Sequence, residues 1–183
     1  MTDRENPDYT PLDLSPWLDT GLDVIDHGEP PPLGQQTFHG LPFLIGADDN
    51  RCFVSPTTPV AIAVGERAHS VVFLHRLLGS RLLENGPVGL DVAEYVFRFA
   101  GGGDERVLVR ERFEIAAAPK PGEFAAFGHD PFRARRDRAP QLLHRDEPPN
   151  ALAGYHQPGA YQPPPAGYYL YAWRSPRPDE PVE

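Results

Sequence analysis

Alternation of apolar and polar side chains is the dominant pattern in the middle of the chain. In residues 94–99, EYVFRF, aromatic side chains occupy every second position, the spacing that places them on one face of a β-strand. A glycine-rich turn, AGGGDE, separates this segment from RVLVRERFEI at 106–115, which alternates in the same way. The pattern predicts an antiparallel hairpin whose core face carries Tyr95, Phe97, Phe99, Val107, Val109, Phe113 and Ile115.

Further short strands are predicted on both sides of this hairpin. They are QTFHGLPFLIG at 36–46, PVAIAV at 59–64, SVVFLHRLL at 70–78 and GYYLYAWR at 167–174. The first of them is broken near Gly40 by the tripeptide GLP, and turn-sized gaps separate the others from their neighbours. Many short strands at roughly even spacing favour an all-β sandwich.

One domain is predicted between two flanks. Residues 1–34 include three consecutive prolines, which exclude a central strand or a helix interior and predict an extended arm packed on the domain. Residues 35–175 are expected to form a single antiparallel β-sandwich, and residues 176–183 a C-terminal tail. Long proline-rich loops are expected as well, above all in residues 119–165.

Charge and composition exclude several classes of partner. The net charge of −9 opposes binding to nucleic acid and to anionic membranes. Cys52 is the single cysteine, so no internal disulfide can form, as suits a reducing compartment. No run approaches the ~20 apolar residues of a membrane span, and the N-terminus has no apolar signal segment. These features predict a cytoplasmic protein without a membrane partner.

Five stretches, taken in order, cover most of the chain and carry a family resemblance: PLDLSPWLDTGL, PPLGQQTFHGLPFLIG, PVAIAVGERAHSVVFLHRLLG, EYVFRFAGGGDERVLVRERFEI and YYLYAWRSPRPDEPVE. They resemble the galactose-binding-like, jelly-roll β-sandwich domains that accompany bacterial glycoside hydrolases. QTFHGLPF and FLHRLL are the most specific parts. The resemblance implies a non-catalytic domain that binds carbohydrate or acts as an accessory to carbohydrate-active enzymes.

Two departures from that pattern matter. The hairpin turn has GGGDE where the resembling domains usually have Asp-Gly. The chain also stops at PVE, where those domains commonly run on into one further strand. The sheet edge beside the C-terminus is therefore expected to be open, or covered by another segment or a second copy of the chain.

His75 and Arg76 interrupt one of the most apolar runs in the chain, HSVVFLHRLLGS at 69–80. By strand alternation, His75 shares a face with Val71 and Phe73. A structural histidine bonded to a neighbouring backbone and a histidine lining a ligand pocket both fit this position. A metal ligand fits less well, because no HxH, HExxH or CxxC companion exists, and no metal or other cofactor is predicted.

Glu111 is the second unusual polar residue, since alternation places it on the apolar face between Val109 and Phe113. A carboxylate in that position is costly unless it is paired. The candidate partners are His75, Arg76 and Arg98. Glu111 can therefore belong either to a buried structural pair or to a His75/Glu111 acid–base couple. The sequence does not fix two carboxylates at the distance that a glycosidase requires.

Loop aromatics are the candidate ligand-binding residues. Tyr155, His156 and Tyr161 lie in a Gly/Pro-rich loop, and Trp17 lies in the N-terminal arm. Flat aromatic rings offer an apolar face and a polar group, the combination that a sugar ring requires. These four residues are predicted to line a shallow groove at one end of the sandwich. Alternation also places Tyr169, Tyr171 and Trp173 on one strand face. This face belongs either to the core or to the carbohydrate site.

Three functions follow in order of preference. The first is a non-catalytic carbohydrate-binding or accessory domain, with an oligosaccharide as partner. The second is an assembly module that docks on another protein, such as a partner enzyme, through its proline-rich flanks and the arginine-rich loop at 133–138. A homodimer is also a possible partner. The third is an enzyme that uses the His75/Glu111 pair. The sequence has no GxSxG nucleophile motif, and AGGGDE lacks the GxxxxGK[ST] spacing of a phosphate loop.

Overall fold

The computed structural model describes residues 9–25, 33–38, 41–46, 48, 50–80, 86–87, 89–111, 114–115, 117 and 169–183. These residues form two short 3-10 helices, Ser15–Trp17 and Leu22–Val24, and eight strands. The strands are β1 (Gly34–Phe38), β2 (Leu41–Ile45), β3 (Glu66–Arg67), β4 (Ser70–His75), β5 (Asp91–Arg98), β6 (Asp104–Arg110), β7 (Tyr169–Arg174) and β8 (Pro181–Val182).

All strand pairs in the described part of the chain are antiparallel: β1 with β2, β3 with β8, β4 with β7, and β5 with β6. The predicted all-β class is therefore confirmed for these residues. None of the described helices is long and apolar enough to cross a bilayer.

The chain divides into two compact units, Met1–Ile62 and Ala63–Glu183. The predicted boundary at residue 34 does not coincide with this division, because β1 and β2 lie in the same unit as the N-terminal segment. In this first unit, the backbone N–H groups of Cys52 and Phe53 both donate to the Thr20 carbonyl, at 2.9 and 3.0 Å. The N-terminal segment is thus held by backbone hydrogen bonds to residues 52–53.

Gly46 is required where the first unit is most tightly packed. A β-carbon at position 46 would lie 2.3 Å from the Cys52 Cα and 2.6 Å from the Arg51 carbonyl oxygen. Cys52 is itself only 3% exposed, so the backbone around it has little room to move.

We therefore expect Gly46→Ala to lower the free energy of unfolding by about 1–3 kcal/mol, the usual range for overpacking. Urea denaturation measures this change. Gly79→Ala is the control, since a β-carbon at Gly79 would meet no atom within 4 Å. An equal loss in both variants would show that the close approach at Cys52 is not what constrains position 46.

The predicted β5–β6 hairpin is confirmed, with Tyr95 opposite Val107 in the register. Gly102 and Gly103 in its turn have φ angles of 88° and 89°, a region that residues with a β-carbon rarely adopt. Phe97, Phe99 and Val109 are buried, and Tyr95 and Val107 pack against the core. Phe113 lies outside the described residues, and Ile115 is half-buried.

The predicted extension of the second hairpin strand to residue 115 is wrong. β6 ends at Arg110, and the N–H groups of Glu114 and Ile115 both donate to the Arg110 carbonyl, at 3.1 and 3.4 Å. The chain turns there because the Glu114 carboxylate bonds back to the Arg110 backbone N–H at 2.9 Å. This turn brings Glu114 to the buried side instead of the outer face.

Aromatic rings join the β4–β7 pair to the β5–β6 pair. Phe73 of β4 stacks on Tyr95 with ring centroids 4.0 Å apart, and Trp173 of β7 stacks on Phe97 at 3.6 Å. The buried core cluster consists of Phe97, Phe99, Tyr171, Trp173 and Val182. The strand face that Tyr171 and Trp173 share is therefore core.

Residues 176–183, which were expected to form a C-terminal tail, contribute a strand and a buried side chain to the core. Val182 is 2% exposed, and its carbonyl accepts from the Gly65 N–H at 2.8 Å on the β3 side. On its other side β8 bonds the end of β5, where Glu183 N–H donates to the Arg98 carbonyl at 2.9 Å. Both sides of β8 are thus hydrogen-bonded, and no open edge is found at this strand.

Arg177 connects the C-terminal segment 176–183 to the hairpin turn. Its guanidinium donates to the Gly102 carbonyl at 2.8 Å and lies 4.8 Å above the centre of the Phe99 ring. Glu180 lies 3.6 Å from the same guanidinium. The residues between β7 and β8 are therefore anchored at several points.

Candidate functional site

The candidate site is a cluster of polar side chains at the end of β4, which we call the His75 cluster: His75, Tyr95, Arg110, Glu114 and Tyr171. Strand alternation places His75 on the face of Phe73, toward the aromatic core. The His75 Nδ1 atom lies 2.7 Å from the Tyr95 hydroxyl oxygen, and Nε2 lies 2.8 Å from the Glu114 carbonyl oxygen.

These two partners determine where the histidine proton lies. A carbonyl oxygen only accepts, so the proton is on Nε2 and is donated to Glu114. Nδ1 of the neutral ring then accepts from the Tyr95 hydroxyl. Burial lowers the pKa of His75 to about 4, and the bond to the Glu114 carbonyl opposes this shift only in part. The ring is therefore neutral at pH 7.

The two tyrosines beside His75 are held in their protonated form. Burial raises the pKa of Tyr95 well above its usual value, and the neighbouring Tyr171 adds to the effect. Burial also raises the pKa of Tyr171 to about 12, reinforced by the negative charge of Glu114 and opposed by Arg110. Both hydroxyls keep their protons throughout the physiological range.

Glu114 and Arg110 form the charged pair of the cluster. The Glu114 side chain is 4% exposed, and its Oε1 accepts from Arg110 Nη2 at 2.7 Å. Its Oε2 accepts from Arg110 Nε at 3.0 Å and from the Arg110 backbone N–H at 2.9 Å. These three hydrogen bonds satisfy the buried carboxylate. They also fix the turn that presents the Glu114 carbonyl to His75.

The structure does not bring His75 and Glu111 together as an acid–base couple. Both ring nitrogens of His75 are bonded to other groups. Glu111 is buried, 2% exposed, as its position on the apolar face predicted, and its backbone N–H donates to the Leu90 carbonyl at 2.9 Å. The acidic residue that contacts the histidine is Glu114, through its backbone carbonyl, and the strand pattern placed this residue on the opposite face.

One signal in the sequence does point to Glu114. Arg110 and Glu114 have opposite charges four residues apart, a spacing at which a turn lets the side chains pair, whereas an extended strand would hold them about 13 Å apart. The alternation of hydrophobic residues concealed this signal, because apolar residues return in phase at Phe113 and Ile115 after the single exception at Glu111.

Of the other predicted site residues, the structure describes Trp17 alone. Trp17 ends the 3-10 helix Ser15–Trp17 in the first unit, where it is half-buried. Tyr155, His156 and Tyr161 lie outside the described residues. Among the residues that are described, no three or more His, Cys, Asp or Glu side chains are grouped so that they could hold a metal ion.

Comparison with known proteins adds no relative to this picture. No protein-family model, curated protein or solved structure gave a significant match to the chain. Function must therefore be argued from the arrangement of the residues themselves.

Proposed function

We propose that the chain is a non-catalytic β-sandwich protein that binds carbohydrate or serves as an accessory to carbohydrate-active enzymes. The observation that supports the non-catalytic part is the state of His75, the histidine of the His75 cluster and the acid–base candidate among the described residues. A general base needs a free nitrogen and a pKa near the working pH. Both nitrogens of His75 are engaged, and burial holds its pKa at about 4.

We infer a sandwich for the second unit from the way its two main strand pairs meet. The β4–β7 and β5–β6 pairs are joined by stacked rings rather than by a backbone ladder between them in the described residues. Side chains interdigitating between two sheets are what a sandwich core consists of. The finer jelly-roll, galactose-binding-like assignment rests on the sequence resemblance.

Support for that resemblance comes from where its stretches fold. QTFHGLPF supplies parts of β1 and β2, and FLH supplies the end of β4. EYVFRF and LYAWR lie within or at the ends of β5 and β7. These stretches form strands, as the resemblance implies, whereas the predicted strand PVAIAV at 59–64 is not formed.

The carbohydrate site is proposed in the loop at 150–165, with Tyr155, His156 and Tyr161 as its contacts. Tyr171 and Trp173 are buried in the core, so they offer no surface to a ligand. Loop aromatics supply stacking area, and His156 can exchange hydrogen bonds with sugar hydroxyls.

Titration of the purified protein with neutral oligosaccharides tests this site. We expect weak binding, and we expect Tyr155→Ala and Tyr161→Ala each to weaken it by about 1 kcal/mol. His69→Ala is the control, because His69 is exposed and lies outside the proposed site. Unchanged binding in both tyrosine variants would place the site elsewhere. No binding of any sugar at millimolar concentration would replace this function with the assembly-module alternative.

A further inference from the structure

The outer face of the β5–β6 hairpin carries a small patch of four side chains, Glu94, Val96, Arg106 and Leu108, which we call the hairpin patch. Val96 and Leu108 are 40% and 50% exposed. Across the two strands, Glu94 is opposite Leu108, and Val96 is opposite Arg106. The four residues therefore form a square with charged residues on one diagonal and apolar residues on the other.

The charged diagonal is well defined. Arg106 Nη1 lies 2.7 Å from Glu94 Oε2, while the two side chains remain 60% and 36% exposed. Glu94 and Arg106 hold each other in place, and both side chains remain accessible to a charged group of another molecule. Exposed ion pairs of this kind contribute little to stability.

The square is complementary to itself. Consider a second copy turned face down by a two-fold axis that runs along the Val96–Leu108 diagonal, parallel to the sheet. Val96 and Leu108 then meet their own counterparts, while Glu94 meets Arg106 and Arg106 meets Glu94. Such a self-matching surface is what an interface between identical subunits requires.

We propose that the hairpin patch is a contact surface for a second copy of this chain, arranged with two-fold symmetry. A single exposed apolar side chain needs no explanation. It is the match of charge to charge and of apolar to apolar residues across one axis that selects an identical partner. This proposal does not rest on carbohydrate binding.

The contact is a weak one. Four side chains on each partner cover much less than the ~800 Å² per partner of a standard stable interface. The two copies also carry a net charge of −9 each, which opposes their approach. The protein is therefore monomeric when dilute and associates reversibly as its concentration rises.

A charge exchange tests the proposal with the full chain. Sedimentation equilibrium gives the dimer dissociation constant for wild type, Glu94→Arg, and the double variant Glu94→Arg/Arg106→Glu. The single variant places like charges at two points of the interface and should weaken association by about tenfold or more. The double variant restores opposite charges within the hairpin and between copies, so it should associate as wild type does.

Mixing the wild type with the double variant gives the sharpest test. Across a mixed dimer two carboxylates would face each other at one charged corner and two guanidinium groups at the other, so each protein should pair with itself and not with the other. Fluorescence energy transfer between differently labelled proteins measures this sorting. Free mixing of the two proteins would overturn the proposal, as would a wild type that stays monomeric at millimolar concentration. The double variant keeps its ion pair within the hairpin, so misfolding of the single variant would not obscure the outcome.

Discussion

Trp173→Ala is expected to lower the free energy of unfolding by about 3–5 kcal/mol, the range for deleting a large buried aromatic side chain. Trp173 is 5% exposed, its ring lies 3.6 Å from that of Phe97, and Phe99 flanks it. Removing the indole opens a cavity between the β4–β7 and β5–β6 pairs, which the neighbouring rings can fill only in part. Urea denaturation followed by circular dichroism measures the loss.

Trp17→Ala is the matched control, because Trp17 is the only other tryptophan and is half-buried in the first unit. Trp17→Ala should lower the free energy of unfolding clearly less than Trp173→Ala does. Trp173→Phe keeps a ring against Phe97 and should fall between the two, which keeps the test informative if Trp173→Ala fails to fold. Equal costs for Trp173→Ala and Trp17→Ala would mean that the aromatic stack does not hold the strand pairs together.

A second large effect is expected in the dependence of stability on pH. Burial depresses the pKa of His75 from 6.5 to about 4. Between these values the unfolded chain binds a proton that the folded chain does not, so stability rises with pH. The contribution is present above pH 6.5 and is lost as the pH falls toward 4, with a total of about 3 kcal/mol.

His75→Gln isolates this contribution, since glutamine can donate and accept hydrogen bonds but does not titrate. Its free energy of unfolding, measured in urea between pH 7 and pH 4, should fall by about 3 kcal/mol less than that of the wild type. His69→Gln, at an exposed position, is the control for the substitution itself. A wild-type profile in His75→Gln would show that another group causes the loss at low pH.

Local patterns predicted the elements that depend on local spacing. The alternation in EYVFRF and RVLVRERFEI identified β5 and β6 and their core face, because a period of two allows only one burial pattern on a half-buried strand. The same rule failed after Arg110, where the bonds between Glu114 and Arg110 turn the chain although apolar residues return in phase at Phe113 and Ile115. A pattern of hydrophobic residues cannot predict a turn that is formed by side-chain hydrogen bonds.

Contacts between distant parts of the chain were not accessible to such patterns. β8 has only two residues, Pro181 and Val182, too few for any period, and it is a strand because β3 and the end of β5 pair with it. His75 was identified from its place in an apolar strand. Its partners were not, because Tyr95 is 20 residues and Glu114 is 39 residues away along the chain.

The most direct test of the non-catalytic account is the protonation state of His75, which NMR of the histidine ring nitrogens reports. The chain has seven histidines, and the His75 signals are those missing from His75→Gln. We predict a neutral ring that carries its proton on Nε2 at pH 7 and gains a second proton only near pH 4. A ring that titrates near its ordinary value of 6.5, or that carries its proton on Nδ1, would contradict the account, because His75 would then be available for proton transfer.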